Sequence, residues 1–404
     1  MTRKLAQWLL WNVGSRIFVG WHLKRVFNFS RAPGSDIVPP APFILVANHG
    51  TFFDPWFAGY FSYSPLSIMC NDDAFRSGPV TAWYLKTIGA FPKRKGASDY
   101  KAMKETLARL SSGSPVCIFP EGQTTWDGET QLIYKGIEKI IKRARCPLVM
   151  IRFSGNFLTK PWWAETKRSG RILCVIKVLP ADTIKAMSDD EVFDAIRRHI
   201  RHSDIKDADN MRHPFTGSRL TEGLERFVWA CMQCGAEDAL TTSGNEVRCT
   251  SCGGAWEMDA HCRFTSKSPS APAIGDLKDW AEAHRTLVIR RIAETPDSGK
   301  LAENNDVILQ TLDLETDRFV DRSKGRLTLT KQTLTYLPRT GAPEPVEYPV
   351  DSLEYPVVQQ KDIFEVRHEG RDYLFLFNRK SPMKWVWYLR YLKGYEEAEA
   401  RGYL

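Results

Sequence analysis

The chain has 404 residues, 43% hydrophobic and 26% charged, with a formal net charge of +8. Such a composition excludes a disordered or fibrous chain and leaves room for two or three domains, each with its own core. Nine cysteines occur, but Cys70, Cys117, Cys146, Cys174 and Cys262 are scattered, several inside apolar runs, which argues for a reducing cytoplasm and against a disulfide framework.

Residues 1–31 carry Arg3, Lys4, Arg16, Lys24, Arg25 and Arg31, with no acid before Asp36, interleaved with Trp8, Trp11, Phe18, Trp21, Phe27 and Phe29. Cations with tryptophan suit the headgroup layer of an anionic membrane. The charge-free stretch Leu5 to Ser15 is too short to span a bilayer, and no small-residue cleavage site follows it. Gly14 and Gly20 interrupt the apolar pattern, so two short interfacial helices over residues 1–35 are expected rather than one. The competing reading packs this segment on its own domain.

From Phe43 to about His202, short apolar runs alternate with helical patterns. FILVA, LSIMC, VCIFP, PLVMIRF and RILCVIKVL read as strands; VTAWYLK, DYKAMKETLARL, YKGIEKIIKRAR and the Ser188-capped SDDEVFDAIRRHIRH read as helices. This predicts an α/β domain over 36–214, with a mostly parallel sheet flanked by helices and function in the loops at strand ends.

CMQC at 231–234 and CTSC at 249–252 are separated by 14 residues. Two such knuckles place Cys231, Cys234, Cys249 and Cys252 to hold Zn²⁺ tetrahedrally, and four protein thiolates leave no open position, so the metal is structural. A zinc ribbon is thus expected over 215–264. Between the knuckles stand Glu237, Asp238, Glu246 and Arg248, net acidic, which argues against a nucleic-acid partner. TSKSPSAPAIG, 265–275, reads as a linker. Over 276–404 strands and hairpins, one with Glu369-Gly370 at its tip, are followed by a final helix expected to be capped by Ser381. This order of elements resembles a pleckstrin-homology-like β-barrel capped by a C-terminal helix.

Four further segments stand in order: NHGTFFD with His49 and Asp54, GAFPKRKG with Lys93, Arg94 and Lys95, FPEG at 119–122, and the strand Pro147 to Phe153. Together they resemble the four motifs of the lysophospholipid and glycerol-phosphate acyltransferase superfamily, over roughly residues 36–210. The resemblance implies His49 as general base, oriented by Asp54, in acyl transfer from acyl-CoA or acyl-carrier protein to the hydroxyl of a lysophosphatidate-like acceptor in phospholipid biosynthesis. Imidazole suits that role near neutral pH. It further implies Arg94 or Lys95 on the acceptor's phosphate, with Glu121 and Gly122 helping to position the acceptor. Family members usually have arginine six residues after the motif's glycine, where Lys95 stands. Many continue Phe-Pro-Glu-Gly-Thr-Arg, whereas Gln123-Thr124 follow here. That departure weakens the glycerol-phosphate acceptor and leaves another lysolipid or an amine-bearing lipid as the alternative. A non-catalytic membrane adaptor is the reading from another class. A peripheral location on the cytoplasmic face of a phospholipid membrane is expected.

Overall fold

The computed structural model describes residues 3–76, 78–93, 100–133, 135–313, 318–339 and 344–395. The chain forms two compact units, Met1–Trp162 with Lys167–Thr216, and Trp163–Thr166 with Gly217–Leu404.

In the first unit, seven strands form one sheet: β1 (Phe29–Arg31), β2 (Ile44–Ala47), β3 (Ser67–Asn71), β4 (Phe91–Lys93), β5 (Val116–Ile118), β6 (Leu148–Ser154) and β7 (Ile172–Leu179). Their order is β1-β7-β6-β2-β5-β3-β4, and every neighbouring pair is parallel except β6 with β7. The apolar runs read as strands because both sheet faces are covered. Leu45 and Ala47 join Phe57, Val149, Phe153 and Cys174 in one core; Ile44 and Val46 join Ile137, Ile141, Met150, Val192 and Ile196 in the other. Helices Ile137–Ala144 and Asp189–Ile200 supply the second layer, the latter opened by a capping box between Ser188 and Glu191.

The first layer departs from the sequence expectation. Residues from Arg3 to Phe27 form one unbroken helical run, with a wider π-wound section at Leu10–Val19. Its inner side chains Trp11, Leu23 and Phe27 belong to the core, and β1 follows directly in the sheet, so the helical run packs on the first unit. Neither Gly14 nor Gly20 breaks the helix, and Gly20 lets it approach its neighbour, helix Asp54–Tyr60. A Cβ on Gly20 would lie 2.6 Å from the Tyr60 ring, and one on Gly59 would lie 2.8 Å from Trp11. Three side chains of the run also donate to carbonyls at the far end of that helix: Arg16 to Tyr60, Trp11 to Ser62 and Asn12 to Tyr63. The Tyr60 carbonyl is among those a helix end leaves without partners, and Ser62 and Tyr63 follow just past the cap. The outer side chains Leu5, Trp8, Ile17, Phe18 and Trp21 stay exposed. Among the described residues no helix is long and apolar enough to cross a membrane.

In the second unit, β8 (Leu240–Ser243), β9 (Glu246–Cys249), β10 (Ala255–Met258) and β11 (Phe264–Ser266) make a small antiparallel sheet. The stretch 265–275 is packed against this sheet rather than free: Trp256 Nε1 donates to the Pro272 carbonyl, and Ala271 and Ile274 are buried. Helix Leu277–Glu294 comes next, capped by Asp276. It leads into a seven-stranded antiparallel sheet of β12 (Ala302–Asp313), β13 (Arg318–Leu329), β14 (Thr333–Pro338), β15 (Val346–Pro349), β16 (Leu353–Gln359), β17 (Ile363–His368) and β18 (Arg371–Leu376). Glu369 and Gly370 turn between β17 and β18 with φ of 49° and 75°, as a two-residue hairpin turn requires. The final helix, Met383–Leu392, starts one residue later than expected, and Ser381 Oγ accepts the Met383 N–H.

Candidate active site

Strands β5, β2 and β6 are adjacent and parallel, so their carboxyl ends share one edge of the sheet, where ligands bind in open α/β folds. His49 follows β2, Glu121 follows β5, and Asn156 follows β6. Asn48 locks two of these exits together: its Oδ1 accepts the Phe153 N–H at 2.7 Å and its Nδ2 donates to the Phe153 carbonyl at 3.0 Å.

Asp54 opens helix Asp54–Tyr60 and is fully buried. Its Oδ2 accepts from His49 Nδ1 at 2.9 Å, from the Gly50 N–H at 2.7 Å and from the Thr51 N–H at 2.9 Å. Its Oδ1 accepts from Asn156 Nδ2 at 2.9 Å. An ionised carboxylate is acceptor only, so the shared proton sits on Nδ1 and the Nε2 lone pair of the neutral ring is left free. The ring stacks on Phe119, centroids 4.4 Å apart, and its side chain is 18% exposed. A base with one nitrogen oriented and the other presented outward can take a proton from a bound hydroxyl.

Glu121 holds the loops rather than facing outward. Its oxygens accept the His49 N–H at 2.6 Å and the Gln131 N–H at 2.5 Å, while the His49 carbonyl accepts the Thr125 N–H. Burial pushes the Glu121 carboxyl well above the ordinary range; the two main-chain bonds oppose this, and the charges of Asp54 and Asp127 add to it. Gly122 is exposed and takes φ of 71° in the tight turn that carries Glu121. The structure thus brings His49, Asp54 and Glu121 together, with Gly122 beside them. Arg94 and Lys95 lie outside the described residues; Lys93, the last one before them, ends β4 at the same sheet edge.

Sequence reasoning missed Asn48, Phe119, Asn156, Gln131 and Asp204. Asp204 is buried and accepts the Gly155, Phe157 and Leu158 N–H groups, holding the turn that carries Asn156. The one available signal was position: an asparagine right after a strand neighbouring the His49 strand.

In the second unit, the sulfurs of Cys231, Cys234, Cys249 and Cys252 all lie within 4.8 Å of one another. Cys231 to Cys252 is 3.7 Å and Cys234 to Cys249 is 3.8 Å. Tetrahedral zinc with Zn–S bonds of about 2.3 Å needs sulfur separations of about 3.8 Å, so the cluster fits that ion.

The acyltransferase family model matches residues 31–154, the stretch that holds all four motifs. The lyso-ornithine lipid O-acyltransferase of Pseudomonas aeruginosa is 31% identical over 99 residues, which is 24% of this chain and 37% of that protein. The chain therefore spans little more than a third of the length of the curated relative it matches. Among solved structures, the 1-acyl-sn-glycerophosphate (LPA) acyltransferase PlsC from Thermotoga maritima is 17% identical with a TM-score of 0.37, covering 48% of this chain and 92% of that one. The N-terminal PH domain of human ARAP2 is also 17% identical, with a TM-score of 0.20, covering 26% of this chain and 87% of that domain.

Proposed function

We propose that this chain, which carries an acyltransferase-superfamily domain matched over residues 31–154, moves a fatty acyl group from a thioester donor to the hydroxyl of a lysolipid. The observation that carries the reading is the His49–Asp54 pair, with Nδ1 held by the carboxylate and Nε2 presented at the sheet edge. Nε2 takes the acceptor's hydroxyl proton as the oxygen attacks the thioester carbonyl, while buried Asp54 stabilises the imidazolium that forms. When the tetrahedral intermediate collapses, the C–S bond breaks and the imidazolium returns the proton to the departing thiolate. The products are the acylated lipid and free thiol, of coenzyme A or of acyl-carrier protein, and no covalent acyl-enzyme is needed.

Two acceptors fit. A lysophosphatidate-like lipid follows from the motif order, with Arg94 or Lys95 on its phosphate and Glu121 and Gly122 shaping the loop beneath it. An amine-bearing lysolipid is favoured by Thr124, where the family often has arginine, and by the similarity to the Pseudomonas lyso-ornithine lipid O-acyltransferase. Purified protein given labelled acyl donor and a panel of lysolipids decides between them. Transfer that disappears in a folded His49→Ala protein supports the enzyme; transfer to no lysolipid leaves the non-catalytic adaptor.

The exposed Trp8, Phe18 and Trp21 suit peripheral attachment to the cytoplasmic face of an anionic membrane. The test is substitution of these three with serine, because deleting residues 1–31 would also remove Trp11, Leu23, Phe27 and Phe29 from the core. Zinc in the four-cysteine cluster would act by fastening the ribbon, not by chemistry on the substrate.

A further inference from the structure

Asp54 is a buried carboxylate whose two oxygens are served very differently. Oδ2 takes three donors, all from residues 49–51; Oδ1 takes one, the amide of Asn156, from the turn after β6, distant in sequence. The Asn156 side chain is itself buried, and it lies so close to Gly50 that a Cβ there would meet its amide at 2.5 Å. The turn beneath it is fixed by Asp204, which accepts three main-chain N–H groups on either side of Asn156. Glycine at 50, the amide at 156 and the carboxylate at 204 therefore form a built support behind the dyad.

We propose that Asn156 is a positioning residue of the dyad: its N–H holds the Asp54 carboxylate in orientation, which keeps the His49 proton on Nδ1 and the lone pair on Nε2. It does not reach the reacting atoms; it acts through Asp54. The inference takes its kinetic consequence from the acyltransferase reading, while its structural content stands apart from that reading. Other titratable groups that feel the Asp54 charge are Glu121 on the loop after β5, Cys117 on β5 and Cys174 on β7. Burial pushes both thiols up, so they stay neutral near pH 7, and Glu121 is common to every variant compared.

Without the Asn156 donor, the negative charge falls more fully on the oxygen facing His49, so the pair holds its proton to higher pH. Loss of that charge-assisted bond is expected to raise the midpoint of the His49 ring in the variant by roughly one pH unit. The experiment uses the full chain labelled with ¹⁵N-histidine, the His49 signals being those lost in His49→Gln. In Asn156→Ala the midpoint moves up and kcat falls roughly tenfold or more, with KM for the lysolipid within twofold. Asn156→Asp covers the case in which the alanine variant does not fold: a second carboxylate should also move the midpoint up. Its kcat deficit should shrink as pH falls from about 8 to 6, where the new carboxyl can hold a proton and donate it. An unmoved His49 midpoint in a folded variant overturns the proposal. A wild-type chain that transfers no acyl group overturns the acyltransferase reading alone, because the titration still decides the role of Asn156.

Discussion

Asp54→Asn separates charge from geometry at this site. In the native protein Oδ2 accepts from His49 Nδ1 and from the Gly50 and Thr51 N–H groups, and Oδ1 accepts from Asn156. Two main-chain donors on one side dictate how an amide must sit, since turning its NH₂ toward them would bury two donor–donor contacts. The new carbonyl therefore faces His49, and the new NH₂ faces Asn156, whose side chain can flip to present its oxygen. All four contacts survive, and the Nδ1–H tautomer of His49 with them. What disappears is the negative charge opposite the imidazolium that forms during proton transfer. Unit charges about 4 Å apart at an effective dielectric of 20 attract by about 4 kcal/mol, and the retained neutral hydrogen bond keeps about 1 kcal/mol of that. The remaining 3 kcal/mol or so corresponds to a loss of about two orders of magnitude in kcat. Single-turnover transfer of a labelled acyl group measures it, with thermal unfolding as the check that the fold is intact. A loss of about 10⁴-fold or more would match the wrong-tautomer outcome, in which the amide donates to the histidine, and would refute the pinning by Gly50 and Thr51. A loss under about tenfold would say that the charge is immaterial.

Asp54→Ala, by contrast, leaves the buried Gly50 and Thr51 N–H groups unpaired and should cost about 2–4 kcal/mol of stability in the first unit, read by denaturant unfolding. Protein purified without added metal should carry one zinc per chain by elemental analysis, and Cys252→Ser should expose residues 231–262 to hydrogen exchange while single-turnover acyl transfer stays at the wild-type rate. Lys384 is buried beside Glu237 and Asp238, and Arg291 pairs with Glu237. Lys384→Met should therefore destabilise the second unit by about 3 kcal/mol in calorimetry, because Asp238 would lose its cation and keep only the Asn304 amide, while Glu237 retains Arg291. Replacing Trp8, Phe18 and Trp21 with serine should reduce flotation with anionic vesicles and leave the melting temperature within about 2 °C, since these side chains are exposed. Flotation equal to wild type would move the docking surface elsewhere.

The parts of the fold written plainly in the sequence are those where burial is two-sided. Strands β2, β3, β5, β6 and β7 appear as apolar runs because each presents side chains to two covered faces. Strands β1 and β4, reading FSR and FPK, each bury one side chain and carry too little pattern to register, whereas the equally short β5 is buried throughout. The antiparallel direction of β7 against β6 has no local signal at all. Gly20 looked like a break because helix propensity is a local quantity, whereas the Gly20–Tyr60 and Gly59–Trp11 approaches that favour glycine are tertiary. The stretch TSKSPSAPAIG has a linker's composition, but Trp256 and the buried Ile274 fasten it. At the site, His49 and Asp54 were legible because they lie five residues apart on one turn, and their contact is a matter of spacing. Asn156 was not, since its contact with Asp54 depends on which strands are neighbours and on where β6 stops.

The stretch Trp163–Thr166 lies between β6 and β7 in sequence, yet it belongs to the second unit. Trp163 is fully buried there, and its carbonyl sits 2.2 Å from where a Cβ on Gly223 would be. Arg226 binds Glu165 on one side and Asp362 on the other, each at 2.6 Å, and Lys361 donates to the Ala164 carbonyl. A gene fragment ending near residue 216 would carry a bare tryptophan and an unmatched glutamate, and one starting at 217 would have a slot with nothing to fill it. Neither half is thus a cassette that recombination can lift out whole. The ribbon and the C-terminal sheet are committed to this chain by four residues encoded inside its other half, and domain swaps or split-protein designs must carry those four along.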